Sequence, residues 1–137
     1  MAFELVLLTE LEPPVGFTVA DSVAIEKGTL LELADPMTVA KVAGAAPLIM
    51  GVAAEEKIAN DGKTEIGVYL RGIFKGFAGG AITVGDGLIG ESGTNELLTS
   101  TAAADEVEVC GVALETASDL DSFKLLLNVG IGGSPET

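Results

Sequence analysis

The hydrophobic positions of this chain fall in short runs that either alternate with polar residues or consist of β-branched residues. Gly, Pro, Asp and Asn interrupt the runs at roughly regular intervals, a pattern typical of a β-sandwich or a β-barrel. It predicts eight strands, at residues 3–8, 17–19, 30–33, 48–53, 64–74, 88–89, 107–113 and 123–129. Only residues 37–42, which follow Pro36, and the alanine-rich residues 99–104 have weak helical character. We therefore predict an all-β fold.

Glycine and asparagine mark the predicted turns. Residues that tolerate positive φ occur at 26–28, 60–62, 84–87 and 93–95. The 137 residues are enough for one domain. Pro13 and Pro14 separate the first apolar run from the rest. We predict an N-terminal arm or first strand (1–14), a compact barrel-like or sandwich-like domain (15–130) and a flexible C-terminal tail (131–137).

An internal repeat is the most informative feature of the sequence. Each half contains an Ile-x-x-Gly turn that leads into a strand, a variable loop, a Gly-Val-Ala strand and a longer closing strand. The matched segments are 24–31 with 81–88, 50–55 with 110–115 and, more weakly, 65–74 with 123–132. The repeat predicts one barrel-like body built from two pseudo-repeated halves, and its glycines are expected to permit sharp turns.

The charge balance excludes one class of partner. Seven basic residues against 21 acidic ones give a formal net charge of −14. Nucleic-acid binding depends on neutralising phosphates with Lys and Arg, so we predict no nucleic-acid partner. The N-terminal apolar run has no basic residues before it and is too short for a signal peptide or a membrane span. We expect the mature chain to begin near Met1, with no membrane partner.

The residues needed for the common catalytic designs are missing. The sequence has no histidine, which removes Ser-His-Asp and Cys-His arrangements and imidazole metal ligands. Acidic pairs occur at 55–56, 105–106 and 119–121; we interpret them as solvated loop acids, with a calcium site near Asp119 and Asp121 as the alternative. The glycine-rich segments lack the Gly-Lys-Ser/Thr ending of a phosphate loop. We predict no enzymatic activity and no cofactor, and we place the single cysteine, Cys110, in the core.

Arg71, the only arginine, lies in the longest predicted strand beside Tyr69. One interpretation is an outward, solvated strand residue. The other is a contact between subunits or with a larger assembly, because arginine is enriched at interface hot spots.

The motif order resembles that of a known family. Residues 18–33, 49–53, 80–86 and 111–115 resemble segments of small decoration (cement) proteins encoded among tailed-phage head genes, and the likeness extends over residues 17–130. The resemblance implies a β-barrel-like structural protein on the outside of an icosahedral head, made in the host cytoplasm. It also implies a homotrimer that binds the major capsid protein and stabilises the contacts between the major capsid subunits. It carries over no active site.

The N-terminal strand has two possible roles in such an assembly. Phe3, Leu5 and Leu7 either belong to an arm that pairs as an extra strand with a neighbouring molecule, or to an ordinary first strand of the barrel. Together with Arg71 they are the candidate interface residues. The alternative function is a surface-displayed module for carbohydrate or host-surface adhesion, although Tyr69 and five phenylalanines supply few aromatic faces. A carboxylate-based hydrolase is the least supported alternative.

Overall fold

A computed structural model describes residues 3–43, 48–91, 93–100 and 109–129. These residues form eleven strands and no helix, which confirms the all-β prediction. The strands are β1 (Val6–Glu10), β2 (Val15–Thr18), β3 (Leu30–Asp35), β4 (Thr38–Lys41), β5 (Ile49–Ala53), β6 (Glu65–Tyr69), β7 (Arg71–Phe77), β8 (Gly87–Gly90), β9 (Leu97–Thr99), β10 (Gly111–Ala113) and β11 (Ser122–Asn128). The predicted tail at 131–137 and the end of the alanine-rich stretch lie outside the described residues.

The strands form a closed five-stranded barrel and a six-stranded sheet that repeat the same connections. The barrel has the order β2-β4-β3-β5-β6, and the sheet has the order β1-β7-β11-β10-β8-β9. Strands β2 to β6 correspond in sequence to β7 to β11, and their antiparallel pairings match. A parallel contact of Thr18 with Thr38 closes the barrel, and a parallel bridge from Ala78 to Leu97 is its counterpart. The two pseudo-repeated halves are thereby confirmed.

The repeat extends to individual backbone hydrogen bonds. The amides of Gly28 and Gly85 donate to the carbonyls of Ala53 and Ala113, at 2.9 and 2.8 Å. Both glycines have positive φ, at 91° and 92°, which is the conformation that glycine adopts most readily. The Ile-x-x-Gly motif therefore has the same spacing in both halves because its glycine adopts the same positive-φ conformation and makes the same backbone hydrogen bond.

The glycine of each Gly-Val-Ala strand has a different cause. A Cβ atom at Gly51 would lie 2.3 Å from the carbonyl oxygen of Tyr69, and one at Gly111 would lie 2.2 Å from that of Leu126. Real Cβ atoms do not approach backbone oxygens so closely, so the adjacent closing strand excludes any side chain at these two points.

Two apolar clusters fill the molecule. Inward-facing residues of the barrel form the first: Phe17, Val19, Ile25, Leu31, Val39, Ala53, Ile66 and Val68. The second lies between the barrel and the six-stranded sheet, because Leu30, Ile49 and Val52 from β3 and β5 pack with sheet residues such as Phe74, Leu88 and Phe123. Burying a side chain of this size contributes about 1.5–3 kcal/mol. The second cluster joins the two halves into one domain.

The structure corrects the weak helix predicted at residues 37–42. Thr38–Lys41 is strand β4, which pairs antiparallel with β3 through a tight turn in which Met37 has a φ of 51°. Thr38 and Val39 are β-branched and favour a strand, and pairing with β3 buries Val39 to 2% exposure. Tertiary pairing outweighs the weak helical pattern after Pro36.

Three further details of the strand and repeat predictions were wrong. The long strand predicted at 64–74 is two strands, β6 and β7, separated at Leu70 where the first half ends and the second begins. The third repeat pair is also shifted by one residue, since Val19 N donates to the Thr64 carbonyl and Ala78 N donates to the Asp121 carbonyl. Ile66 therefore corresponds to Phe123, and both side chains are buried. The predicted register matched Phe123 with Glu65 instead, an exposed residue on the opposite face of its strand. Strand β9 was not predicted.

Candidate interaction surface

Strand β1 lies at one edge of the six-stranded sheet and pairs with its own chain. It runs antiparallel to β7, with Val6 opposite Lys75 and Leu7 opposite Phe74, and a bulge follows Leu7. Just before the strand, the amide of Leu5 donates to the Gly28 carbonyl at 2.9 Å, so the segment contacts the barrel as well. Its exchange with a neighbouring molecule remains a prediction.

The four candidate interface residues occupy three environments. Leu5 is 4% exposed and belongs to the cluster between the halves, against which the half-buried Leu7 also packs. The ring of Phe3 contacts that of Phe77, with centroids 5.2 Å apart. Arg71 is exposed at the opposite end of β7 from Phe77. The structure places Leu5 and Leu7 against the same cluster, Phe3 against Phe77, and Arg71 on a different part of the surface.

The outward side of β1 is apolar. Val6 is 56% exposed and Leu8 is 45% exposed, and β7 is the only strand that pairs with β1 within the described residues. A groove of about 360 Å³ runs beside the strand and is lined by Glu4, Leu5, Val6, Leu7 and Lys27. An edge strand with unpaired backbone groups is a typical site for pairing with another chain, and the bulge after Leu7 limits such pairing.

A buried lysine follows strand β5 of the barrel, and sequence analysis missed it. The Lys57 side chain is 0% exposed, and its ammonium group donates to the carbonyls of Asp21 and Ile58, at 2.8 and 3.0 Å, and to Asp61 Oδ1 at 3.1 Å. The backbone amide of Lys63, with a smaller contribution from Lys57, lowers the pKa of Asp61. A lysine after two glutamates gives no sequence signal of burial. Its counterpart in the second half is Ala117.

A buried asparagine connects the two halves. Asn95 Oδ1 accepts from the Leu30 amide at 2.7 Å, and its Nδ2 donates to the carbonyls of Phe3 and Gly28, at 2.9 and 3.2 Å. The residue has a φ of 64°, which asparagine tolerates better than most residues. The sequence marked position 95 as a turn residue but gave no sign of these long-range bonds.

Next to Asn95 lies a buried carboxyl group. Glu96 is 6% exposed, and its Oε2 has no hydrogen-bond partner among the described residues. Burial raises the pKa of Glu96, and the nearby carboxylates of Glu91 and Asp119 add to the effect. Such a group favours the protonated form in the folded state.

The remaining candidates from the sequence are the single cysteine, the acidic pairs and a membrane span. Cys110 is fully buried, which confirms the core prediction, and desolvation raises the pKa of its thiol to about 12. In the part of the chain that the structure describes, no three acidic or cysteine side chains are arranged to hold a metal ion. Over the same residues, no helix has the length and apolar character required to cross a membrane. Residues 105–106 lie outside the described residues.

Comparison with known proteins places this geometry in a family. The fold is similar to the crystal structure of the head fiber gp8.5 N base in bacteriophage phi29, with a TM-score of 0.56 and 20% sequence identity, over 83% of this chain and 93% of that one. Comparison with curated proteins gives no match. The family model for phage cement proteins matches residues 10–127, which is most of the chain. The chain therefore belongs to the phage cement protein family, a family of phage structural proteins rather than of enzymes.

Proposed function

We propose that this protein decorates the outer surface of an icosahedral phage head, where it binds the major capsid protein as a homotrimer and stabilises contacts between capsid subunits. The observation that carries the proposal is the match of the cement family model over residues 10–127. The protein is made in the host cytoplasm and acts without a cofactor.

The physical basis of cementing is linkage. A protein that binds the assembled shell and not the free subunits stabilises the shell in proportion to its binding free energy. The structure supports such a role because it offers an edge strand with exposed Val6 and Leu8, and because two apolar clusters hold its two halves together. A rigid body with an exposed strand edge suits a clamp across a joint between subunits.

The test uses heads assembled without the protein. Purified protein is added to them, the mixture is sedimented, and the bound amount is quantified; light scattering gives the oligomeric state of the free protein. We expect stoichiometric binding and an increase in the temperature at which the heads release their contents. A protein that stays in the supernatant at micromolar concentration contradicts the proposal.

The second candidate function is adhesion to a carbohydrate or host surface. The observation that favours it is the similarity of the fold to that of a head fiber base. The structure favours it less. Sugar-binding sites commonly use exposed aromatic faces, but all six aromatic side chains are buried or half-buried, and Tyr69 packs edge-on against Phe74 at 5.7 Å. If the protein binds host cells and does not bind phage heads, adhesion becomes the better assignment.

A further inference from the structure

The outward face of β7 and β11 carries an unusual set of side chains. In both strands the inward positions are buried and the alternate positions face away from the core. The register places Lys75 directly opposite Lys124 and Ile73 opposite Leu126. We define the basic face as the outward residues Arg71, Ile73, Lys75, Lys124 and Leu126.

The basic face opposes the charge of the rest of the molecule. It holds three of the seven basic residues of a chain whose net charge is −14. Among the described residues, Arg71, Lys75 and Lys124 form no ion pair; the salt bridges found there belong to Lys57 and Lys63. Glu115 is close, but it accepts a hydrogen bond from the backbone amide of Lys124. Like charges placed directly opposite on two strands destabilise a sheet.

The other half of the molecule shows that the fold does not require these lysines. The corresponding cross-strand pair in the barrel is Gly16 opposite Gly67, where β2 runs beside β6. The two halves share their strand order and backbone hydrogen bonds, so the same pairing forms without any side chain at this point. The lysine pair therefore adds a charge that packing does not need and that costs some stability.

We propose that the basic face is the surface that binds the head, and that its partner is an acidic, carboxylate-rich protein surface on the major capsid subunit. The inference rests on the proposed cement function and names the docking face for it. Complementary charge steers and orients such a contact, and the half-buried Ile73 and Leu126 between the charges supply apolar area. Nucleic acid is the less suitable partner, because a long polyanion would extend beyond the basic face onto the acidic surface that gives the chain its net charge of −14.

The test compares two double variants of equal net charge. Lys75→Glu/Lys124→Glu reverses the paired charges of the basic face, whereas Lys41→Glu/Lys63→Glu reverses two lysines that lie outside both this face and the groove beside β1. Binding to heads that lack the protein is measured by sedimentation at low and at high NaCl concentration. We expect the first variant to bind about tenfold more weakly than the second at low salt. We also expect wild-type binding to weaken as salt increases.

A milder variant guards against misfolding. Lys75→Gln/Lys124→Gln removes the repulsion between the lysines but adds two to the net negative charge, so it should melt near the wild-type temperature and still lose part of the binding. If wild-type protein binds heads and both basic-face variants bind as tightly as the control, the docking face is wrong while the cement function stands. If wild-type protein does not bind, the cement function itself fails. A change in oligomeric state with unchanged head binding would assign the face to a second copy and overturn the inference.

Discussion

At the scale of single residues, the repeat supplies a matched pair of glycines. Gly28 and Gly85 have nearly the same positive φ, but a Cβ atom at Gly28 would lie 2.5 Å from the Leu5 carbonyl oxygen, whereas one at Gly85 would meet nothing within 4 Å. Gly85→Ala should cost about 1–2 kcal/mol from backbone strain alone. Gly28→Ala should cost about 2 kcal/mol more, because residues 4 and 5 must move. Urea unfolding measures both, and equal losses would contradict the steric explanation.

A second prediction at this scale concerns the buried carboxyl of Glu96. The pKa of this carboxyl is raised in the folded state above its ordinary value of 4.5. Its contribution to folding stability is therefore fully present below pH 4.5, where the group is protonated, and is lost as pH rises through the folded-state pKa. Glu96→Gln should therefore melt at a higher temperature than wild type at pH 7, and the difference should shrink as pH falls toward 4.5.

The control for this experiment is Glu10→Gln, which removes the same charge from an exposed position of β1. Any gain it shows reflects the general relief of negative charge. The explanation by burial fails if the two variants gain equally at pH 7, or if the gain of Glu96→Gln does not depend on pH.

At the scale of elements, Asn95 attaches the β8–β9 hairpin to the N-terminal segment and the barrel. Asn95→Ala leaves the buried Leu30 amide and the Phe3 carbonyl without their partner and removes one of the two hydrogen bonds to the Gly28 carbonyl, which should cost about 2–4 kcal/mol. Asn60→Ala is the matched control, because Asn60 also has positive φ, at 61°, but its side chain is exposed. Chemical denaturation should show a much smaller loss for the control. Similar losses would attribute the effect of Asn95 to its backbone conformation.

The elements also show what sequence alone predicts here. Glycine-bounded apolar runs located β3, β5, β10 and β11, and the repeated motifs indicated the two halves, because turn chemistry and inward-facing positions are local properties. Strand β4 and the buried Lys57 were not predicted, since the first depends on pairing with β3 and the second on acceptors at Asp21 and Asp61 brought together by folding. The lysines of the basic face were visible as residues, but only the register of β7 and β11 places them opposite each other.

At the scale of the whole molecule, the net charge of −14 should make salt act in opposite directions on folding and on docking. Repulsion among acidic groups opposes the compact state, and screening at about 0.15 M salt shortens its range to about 8 Å. The melting temperature of the free protein should therefore rise by about 2–8 °C between very low and physiological NaCl concentration. Scanning calorimetry measures the shift, and KCl in place of NaCl controls for specific ion binding. Head binding through the basic face should weaken over the same range. A melting temperature that falls with added salt would show that net repulsion does not govern the stability of the free protein.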